Sequence, residues 1–139
     1  MKLALSVLLF GHCVAGANVW LYSSGSNAKF ALDKAQRCYT FEDQWADRAY
    51  RTKWTDLDGA SSIAFYQDVE CGGESVSKMD RPSGSFSFKK EDKLNLTVSS
   101  VMVRQYSVYP VAGLVFIHQE GPDMTEGIDL ASNATGSGQ

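Results

Sequence analysis

Apolar and polar residues alternate with a period of two in several short stretches of this chain. Val19-Trp20-Leu21-Tyr22, Ser62-Ile63-Ala64-Phe65-Tyr66, Ser85-Phe86-Ser87-Phe88, Leu94-Asn95-Leu96-Thr97-Val98 and Val101-Met102-Val103-Arg104-Gln105-Tyr106 all read as strands. In the third and fourth of these the apolar and polar faces are cleanly separated. The apolar run Gly113-Leu114-Val115-Phe116-Ile117 reads as a further strand, with His118 as its next residue. Turn-forming clusters lie between them: Ser23-Ser24-Gly25-Ser26-Asn27, Asp56-Leu57-Asp58-Gly59, Cys71-Gly72-Gly73 and Arg81-Pro82-Ser83-Gly84. Each supplies the side-chain hydrogen bonding or the φ freedom that a tight connection needs. Short strands punctuated in this way predict an all-β domain, an antiparallel sandwich or Greek key.

One segment departs from the pattern. Thr40 can cap a helix, Glu42 and Asp43 sit where its positive end would be, and Arg48, Arg51 and Lys53 fall near the other end. Phe41, Trp45 and Ala49 recur every four residues, so the spacing predicts one short helix over 41–50 with Trp45 inward. Beyond residue 120 the chain has no aromatic residue and ends in Ser-Asn-Ala-Thr-Gly-Ser-Gly-Gln, which predicts a flexible tail over 121–139.

The N-terminus changes how the rest is counted. Lys2 gives a positive start, residues 3–10 are apolar apart from Ser6, and Ala15-Gly16-Ala17 satisfies the small-residue cleavage rule. Residues 1–17 therefore read as a secretory signal peptide; the run is too short to span a bilayer. A single β domain over 18–120 is expected to follow, in an exported, extracellular protein. The whole chain has 139 residues with 13 Lys+Arg against 16 Asp+Glu, a formal charge of -3, so it carries no basic footprint for nucleic acid.

His12 and Cys13 leave with the signal, so the mature chain keeps Cys38, Cys71 and His118. Two cysteines in an oxidising compartment predict one disulfide, and with a single histidine they are too few for a closed zinc site. No Gly-x-Ser-x-Gly elbow, phosphate loop or His-Glu-x-x-His helix is present. The carboxylate pairs Asp56 with Asp58 and Glu42 with Asp43 have the residue type for glycoside hydrolysis, but turn and cap roles account for them. No catalytic residue is assigned, and Trp20, Trp45 and Trp54 are read as core, with Trp54 the first choice if a sugar-binding aromatic exists.

Ile63-Ala64-Phe65-Tyr66-Gln67-Asp68-Val69-Glu70-Cys71-Gly72-Gly73 resembles the opening strand and turn of a β/γ-crystallin Greek-key motif. Asn95-Leu96-Thr97-Val98-Ser99-Ser100-Val101 resembles that family's calcium signature, and Leu57-Asp58-Gly59-Ala60-Ser61-Ser62-Ile63 is a second imperfect copy. The resemblance spans about 19–117 and implies a β/γ-crystallin-like Greek-key sandwich, with calcium as the one candidate ion and no other cofactor. Its ligands would be Asp58, Ser61 and Ser62 in one copy and Asn95, Ser99 and Ser100 in the other. Leu57 and Leu96 occupy positions where a side-chain oxygen is expected, so each copy is short of a ligand for an ion that takes six to eight oxygens.

Asn95-Leu96-Thr97 and Asn133-Ala134-Thr135 are N-glycosylation triplets. The chain as a whole is similar in style to small secreted effectors of oomycetes and fungi. It is expected to be a monomer that acts without catalysis on a protein or cell-surface partner, with no nucleic acid and no membrane insertion. The alternatives are a protease inhibitor or antimicrobial toxin, using an exposed loop at 74–84 or 105–113, a weak calcium-binding crystallin-like module, or a compact carboxylate enzyme.

Overall fold

Strand β1 (Ala17–Ser23) runs into β2 (Ser26–Leu32) through Ser24 and Gly25, whose φ of 78° is the left-handed backbone such a turn demands. Along both strands the inward positions are fully buried and the outward ones are not, so Val19, Leu21, Ala28, Phe30 and Leu32 line the core. The computed structural model describes residues 16–121, apart from 43, 59–60, 80 and 91–92, together with 124–125.

The remaining strands are β3 (Cys38–Phe41), β4 (Arg51–Thr55), β5 (Ser62–Tyr66), β6 (Ser75–Met79), β7 (Gly84–Ser87), β8 (Ser100–Arg104), β9 (Leu114–Ile117) and the short β10 (Met124–Thr125). They form two five-stranded sheets in a sandwich-like pair, ordered β10-β2-β1-β4-β7 and β6-β5-β8-β3-β9. Every pairing in the first sheet is antiparallel. The second sheet is mixed, because β9 runs parallel to β3. The chain thus crosses between sheets at β3, β4, β5, β7, β8 and β10, which interleaves the two layers. No helix among the described residues is long and apolar enough to cross a membrane.

Both sheets bury aromatic residues between them. Phe30 meets Phe41 edge to face at 4.8 Å and Trp45 at 6.3 Å, while Phe88 meets Phe65 at 5.4 Å and Phe86 at 5.8 Å. Trp45 and Trp54 are buried as expected, and the Trp54 indole N–H donates to the Arg81 carbonyl, so Trp54 presents no ring to a sugar; Trp20, also expected in the core, instead lies half-buried on the outward side of β1 with the Lys29 and Lys53 ammonium groups over its ring.

Two sequence expectations are overturned. No helix runs over 41–50: Phe41 ends β3, and 44–48 make a single turn in which the Trp45 and Ala46 N–H groups donate to the Glu42 carbonyl. The cap signals therefore started a turn, but Asp47 takes φ 57° and its N–H leaves for the Val98 carbonyl, while the Tyr50 N–H donates to Tyr22 across the chain. Nor is 94–98 a strand. Leu96 takes φ 61°, the Thr97 N–H closes a turn on the Leu94 carbonyl, and Leu96 points outward at 50% exposure while Leu94 and Val98 stay buried. Residues 1–15 of the signal segment, and the tail apart from residues 121 and 124–125, lie outside the described residues, as does Asn133. Ala17, where the cleavage rule places the cut, pairs with Leu32 in the β1–β2 ladder, and β10 pairs with β2.

Cys38 and Cys71 form the expected disulfide across 33 positions, joining β3 to a short 3-10 turn (Val69–Cys71). That turn is held from both sides: the Cys71 N–H donates to the Ser100 hydroxyl at 2.9 Å, Ser100 donates to the Asp68 carbonyl at 2.6 Å, and the Glu70 N–H donates to Thr40 at 2.9 Å. Closing a loop of this length restricts the unfolded chain by about 3–4 kcal/mol. Replacing both cysteines by serine should therefore lower the melting temperature by roughly 10–20 °C in a thermal scan. A loss of only about 2 °C would mean that the hydrogen bonds around the 69–71 turn, rather than the crosslink, hold this corner.

Candidate functional site

Between β2 and β3 the chain makes a short connection that contains Gln36. This residue is only 1% exposed, and its backbone takes φ 61°, which places its side chain beneath the loop 105–113. Such a buried amide must satisfy an acceptor and two donors. Its Oε1 accepts the N–H groups of Gln105 at 2.6 Å, Tyr106 at 3.0 Å and Ser107 at 3.2 Å. Its Nε2 donates to the carbonyls of Ser107 and Tyr109, both at 3.0 Å. The Gln36 backbone adds a bond to Val103 and one from Ala112, and the Arg37 guanidinium reaches the Ala112 carbonyl at 3.1 Å. A loop without secondary structure is thereby bonded along its base to one side chain.

What the loop presents outward is apolar. Tyr106 is 76% exposed, and Val108, Tyr109 and Val111 are exposed beside it. The surface continues onto β9, where Leu114 is exposed and Phe116 is 68% exposed. Residues 105–117 carry no charged side chain. Two hollows flank this surface, one of about 310 Å³ beside Ser62, Arg104, Tyr106 and Val108, the other of about 230 Å³ beside Thr40, Glu70, Leu114 and Phe116. Because β9 ends its sheet, its second edge carries no partner strand among the described residues. Large apolar side chains exposed together on one loop and the strand that follows it are uncommon on protein surfaces, and tyrosine is among the residues enriched at interface centres.

The connection that carries Gln36 is fixed by Tyr39. The Tyr39 hydroxyl donates to the Asp33 carboxylate and accepts the N–H groups of Asp33 at 3.1 Å and Lys34 at 3.0 Å. Burial, and then the hydrogen bond to Asp33, push the Tyr39 pKa up to about 12, while that same hydrogen bond holds Asp33 below the usual carboxylate range.

The residues expected to hold calcium are spread out. Ser62 pairs with Arg104 at one end of the β5–β8 ladder and Tyr66 pairs with Ser100 at the other, so the two half-signatures stand roughly 13 Å apart along the strands. Ser100 is committed to the 68–71 turn, and Ser99 donates to Asp47 at 3.0 Å. Asp58 is exposed and already engaged, and its carbonyl accepts the Ser61 N–H at 2.8 Å. Buried side-chain oxygens without a protein partner remain on Ser61 and Asn95. No three His, Cys, Asp or Glu side chains gather into a metal site among the described residues. His118 is exposed just past β9, with its Nε2 3.3 Å from a Glu42 carboxylate oxygen.

Compared with family models, with curated proteins and with solved structures, the chain finds no match in any of the three. The site therefore rests on its own geometry. Loop 105–113 was one of two exposed loops singled out by sequence; Gln36 was not, because a lone glutamine has no pattern that marks it as buried.

Two measurements check this anchoring. Gln36→Ala strands backbone groups that water reaches poorly, and should lower stability by about 3 kcal/mol and raise amide exchange across 105–109. Gln36→Glu keeps the three accepted bonds but turns an oxygen on the Ser107 and Tyr109 carbonyls, so it should be unstable at neutral pH and recover in acid, where the carboxyl can donate. Equal stability of Gln36→Glu at both pH values would show that the loop does not depend on the amide.

The Tyr39 contact predicts a pH dependence. A pKa raised from 10.0 to about 12 means that folding favours the neutral phenol, so its contribution is complete below pH 10 and is lost as pH rises through 12. Asp33 works at the other limit: its lowered pKa gives stability that is present above the ordinary carboxylate range and is lost in stronger acid. Tyr39→Phe should flatten the alkaline limb of a stability profile and lower stability at neutral pH by about 1–2 kcal/mol. An unchanged alkaline limb would place the titration elsewhere.

Proposed function

We propose that this chain is a secreted, non-enzymatic interaction protein of the effector kind, which docks onto an extracellular or host protein through the surface formed by loop 105–113 and β9. The observation that carries this reading is the buried Gln36 amide, which fixes the backbone of a loop whose exposed side chains are Tyr106, Val108, Tyr109 and Val111. Holding apolar anchors in place before binding reduces the ordering entropy that association otherwise costs. The occupant that fits is a protein with an apolar, shape-matched surface, since residues 105–117 offer no charge to a polyanion. The Cys38–Cys71 disulfide is compatible with an oxidising, extracellular setting.

A protease inhibitor is the second reading, favoured by the same rigid exposed loop. A β/γ-crystallin-like Greek-key ancestry belongs with these proposals: the two packed, largely antiparallel sheets support it, and the parallel β3–β9 pair departs from it.

The test is binding of the labelled, purified protein to a panel of intact cells and to purified extracellular proteases. Saturable binding without turnover of any substrate is expected, and Tyr106→Ser with Tyr109→Ser should weaken it about a hundredfold at an unchanged melting temperature. Binding retained by that double variant would overturn the docking surface. Stoichiometric inhibition of a protease would replace the first reading by the second. Concentration-dependent dimerisation lost in the same variant would make a second copy the occupant.

A further inference from the structure

The smaller hollow beside the docking surface, of about 230 Å³, lies between Glu70 and Thr40 on one side and Leu114, Val115 and Phe116 on the other. Its shape follows from the register of β3 with β9. Cys38 lies opposite Leu114 and Thr40 opposite Phe116, while Tyr39, Phe41 and Ile117 belong to the core. Leu114 and Phe116 therefore stand on the outer face of the second sheet, in line with Cys38 and Thr40. Cys38 and Thr40 are buried even so, because the crosslinked 69–71 turn lies over them. Leu114 and Phe116 have no such cover and stay exposed. The hollow is the step between the turn and the uncovered strand.

Glu70 is the one charged residue of that lining. It is exposed, and its carboxylate has no hydrogen-bond or ion-pair partner among the described residues. Its backbone, by contrast, is fixed. Glu70 sits at φ 57° with its N–H on Thr40, the disulfide is at the next residue, and Ser100 bonds residues 68 and 71 on either side of it. The carboxylate thus hangs on a short stem from a wall that does not move. Phe116 opposite presents a ring that no aromatic or cationic side chain covers among the described residues. Since residues 105–117 carry no charge, Glu70 gives the apolar surface a polar end, which fixes the direction in which a partner lies across it.

We propose that this hollow receives an arginine side chain of the docked protein, with its aliphatic stem against Leu114, its guanidinium on the Phe116 ring and its N–H groups on the Glu70 carboxylate. The proposal rests on the docking reading and names the polar anchor of that contact. The hollow is smaller than the roughly 300–1,000 Å³ of pockets for small-molecule ligands, and suits one side chain. An apolar side chain there would take water from Glu70 and return no partner, and an acidic one would meet like charge. Lysine brings a compact, strongly hydrated charge, whereas arginine stacks on a ring and offers a planar fork to both carboxylate oxygens.

The experiment is an NMR titration of the whole protein with acetyl-Leu-Arg-Leu-amide, alongside the same peptide with lysine, citrulline or norleucine at its centre. Saturable shifts at Thr40, Glu70, Leu114 and Phe116 are expected below about 10 mM arginine peptide, with the uncharged citrulline peptide about tenfold weaker. Glu70→Gln should bring arginine binding down to the citrulline level at an unchanged melting temperature, because the carboxylate supports nothing in the described fold. Phe116→Ala, also at an exposed position, should weaken arginine binding several-fold. Absence of saturable arginine binding, or arginine binding unmoved by Glu70→Gln, overturns the site. Equal binding of the lysine peptide overturns the arginine assignment, and equal binding of the norleucine peptide overturns the charge pairing. Tyr106 and Tyr109 do not line the hollow, so the Tyr106→Ser, Tyr109→Ser protein should bind the peptide normally. Peptide binding without any binding to cells or proteases would sink the docking reading and keep the hollow. Cell binding indifferent to Glu70→Gln, with no peptide binding, would sink the hollow and keep the docking surface.

Discussion

Gln36 solves a problem that every sandwich with a long connection faces. Backbone N–H and C=O groups shut away from water need partners, and a loop that belongs to no strand has none of its own. A glutamine amide is the one uncharged side chain long enough here to accept from one run of N–H groups and donate to the carbonyls that follow. With Oε1 on residues 105–107 and Nε2 on 107 and 109, it substitutes for a neighbouring strand. The same logic recurs at smaller scale: Tyr39 closes the 33–34 turn, and Ser100 with Thr40 closes the turn at 68–71. Gln36, Thr40 and Ser100, all buried polar side chains, therefore support irregular segments of this fold, and the segment with the heaviest support is the one that displays apolar residues to solvent.

Backbone strain is distributed in a way that agrees with this. Non-glycine residues in the left-handed region occur at Gln36, Asp47, Asp56, Glu70, Cys71 and Leu96. Gln36 anchors the exposed loop, Glu70 and Cys71 form the crosslinked turn, and Asp47 and Leu96 both line one cleft. Each such residue costs of order 1–3 kcal/mol and persists only where its surroundings over-determine it. The long-range hydrogen bonds and the disulfide at these positions are those surroundings.

The same residues explain what could and could not be read from sequence. The alternation at 19–22 and 62–66, the turn at Ser24-Gly25 and the Cys38–Cys71 pair were legible because each depends on near neighbours or on a count. The segments 41–50 and 94–98 were misread because periodicity does not register a positive φ at Asp47 or Leu96. In β3 all positions are buried, so no alternation exists to detect. In β4 the alternation of Arg51, Thr52, Lys53 and Trp54 is clean, but its cations also fit the end of a helix that does not form. Loop 105–113 could be named as an exposed candidate from its composition. That its conformation is fixed from below by a residue some 70 positions away could not be, since only the fold brings Gln36 to it.

The edge of the second sheet bears on how this surface is retained. An exposed edge strand with outward apolar residues is a template for unwanted pairing, and natural sheets blunt such edges with lysine, proline, bulges or covering loops. Leu114–Ile117 contain no lysine or proline, no described residue pairs with the outer edge of β9, and its outward residues Leu114 and Phe116 are large. Two features limit the hazard without hiding the surface. The strand is only four residues long, and its neighbour along the chain is a loop whose backbone groups are already taken by Gln36, Arg37 and the 109–113 turns. A short edge beside a loop bonded in this way offers little ladder to a passing strand while leaving its side chains exposed. On the proposed reading, recognition would come from side-chain packing against Tyr106, Tyr109 and Phe116, the kind of contact that discriminates between partners.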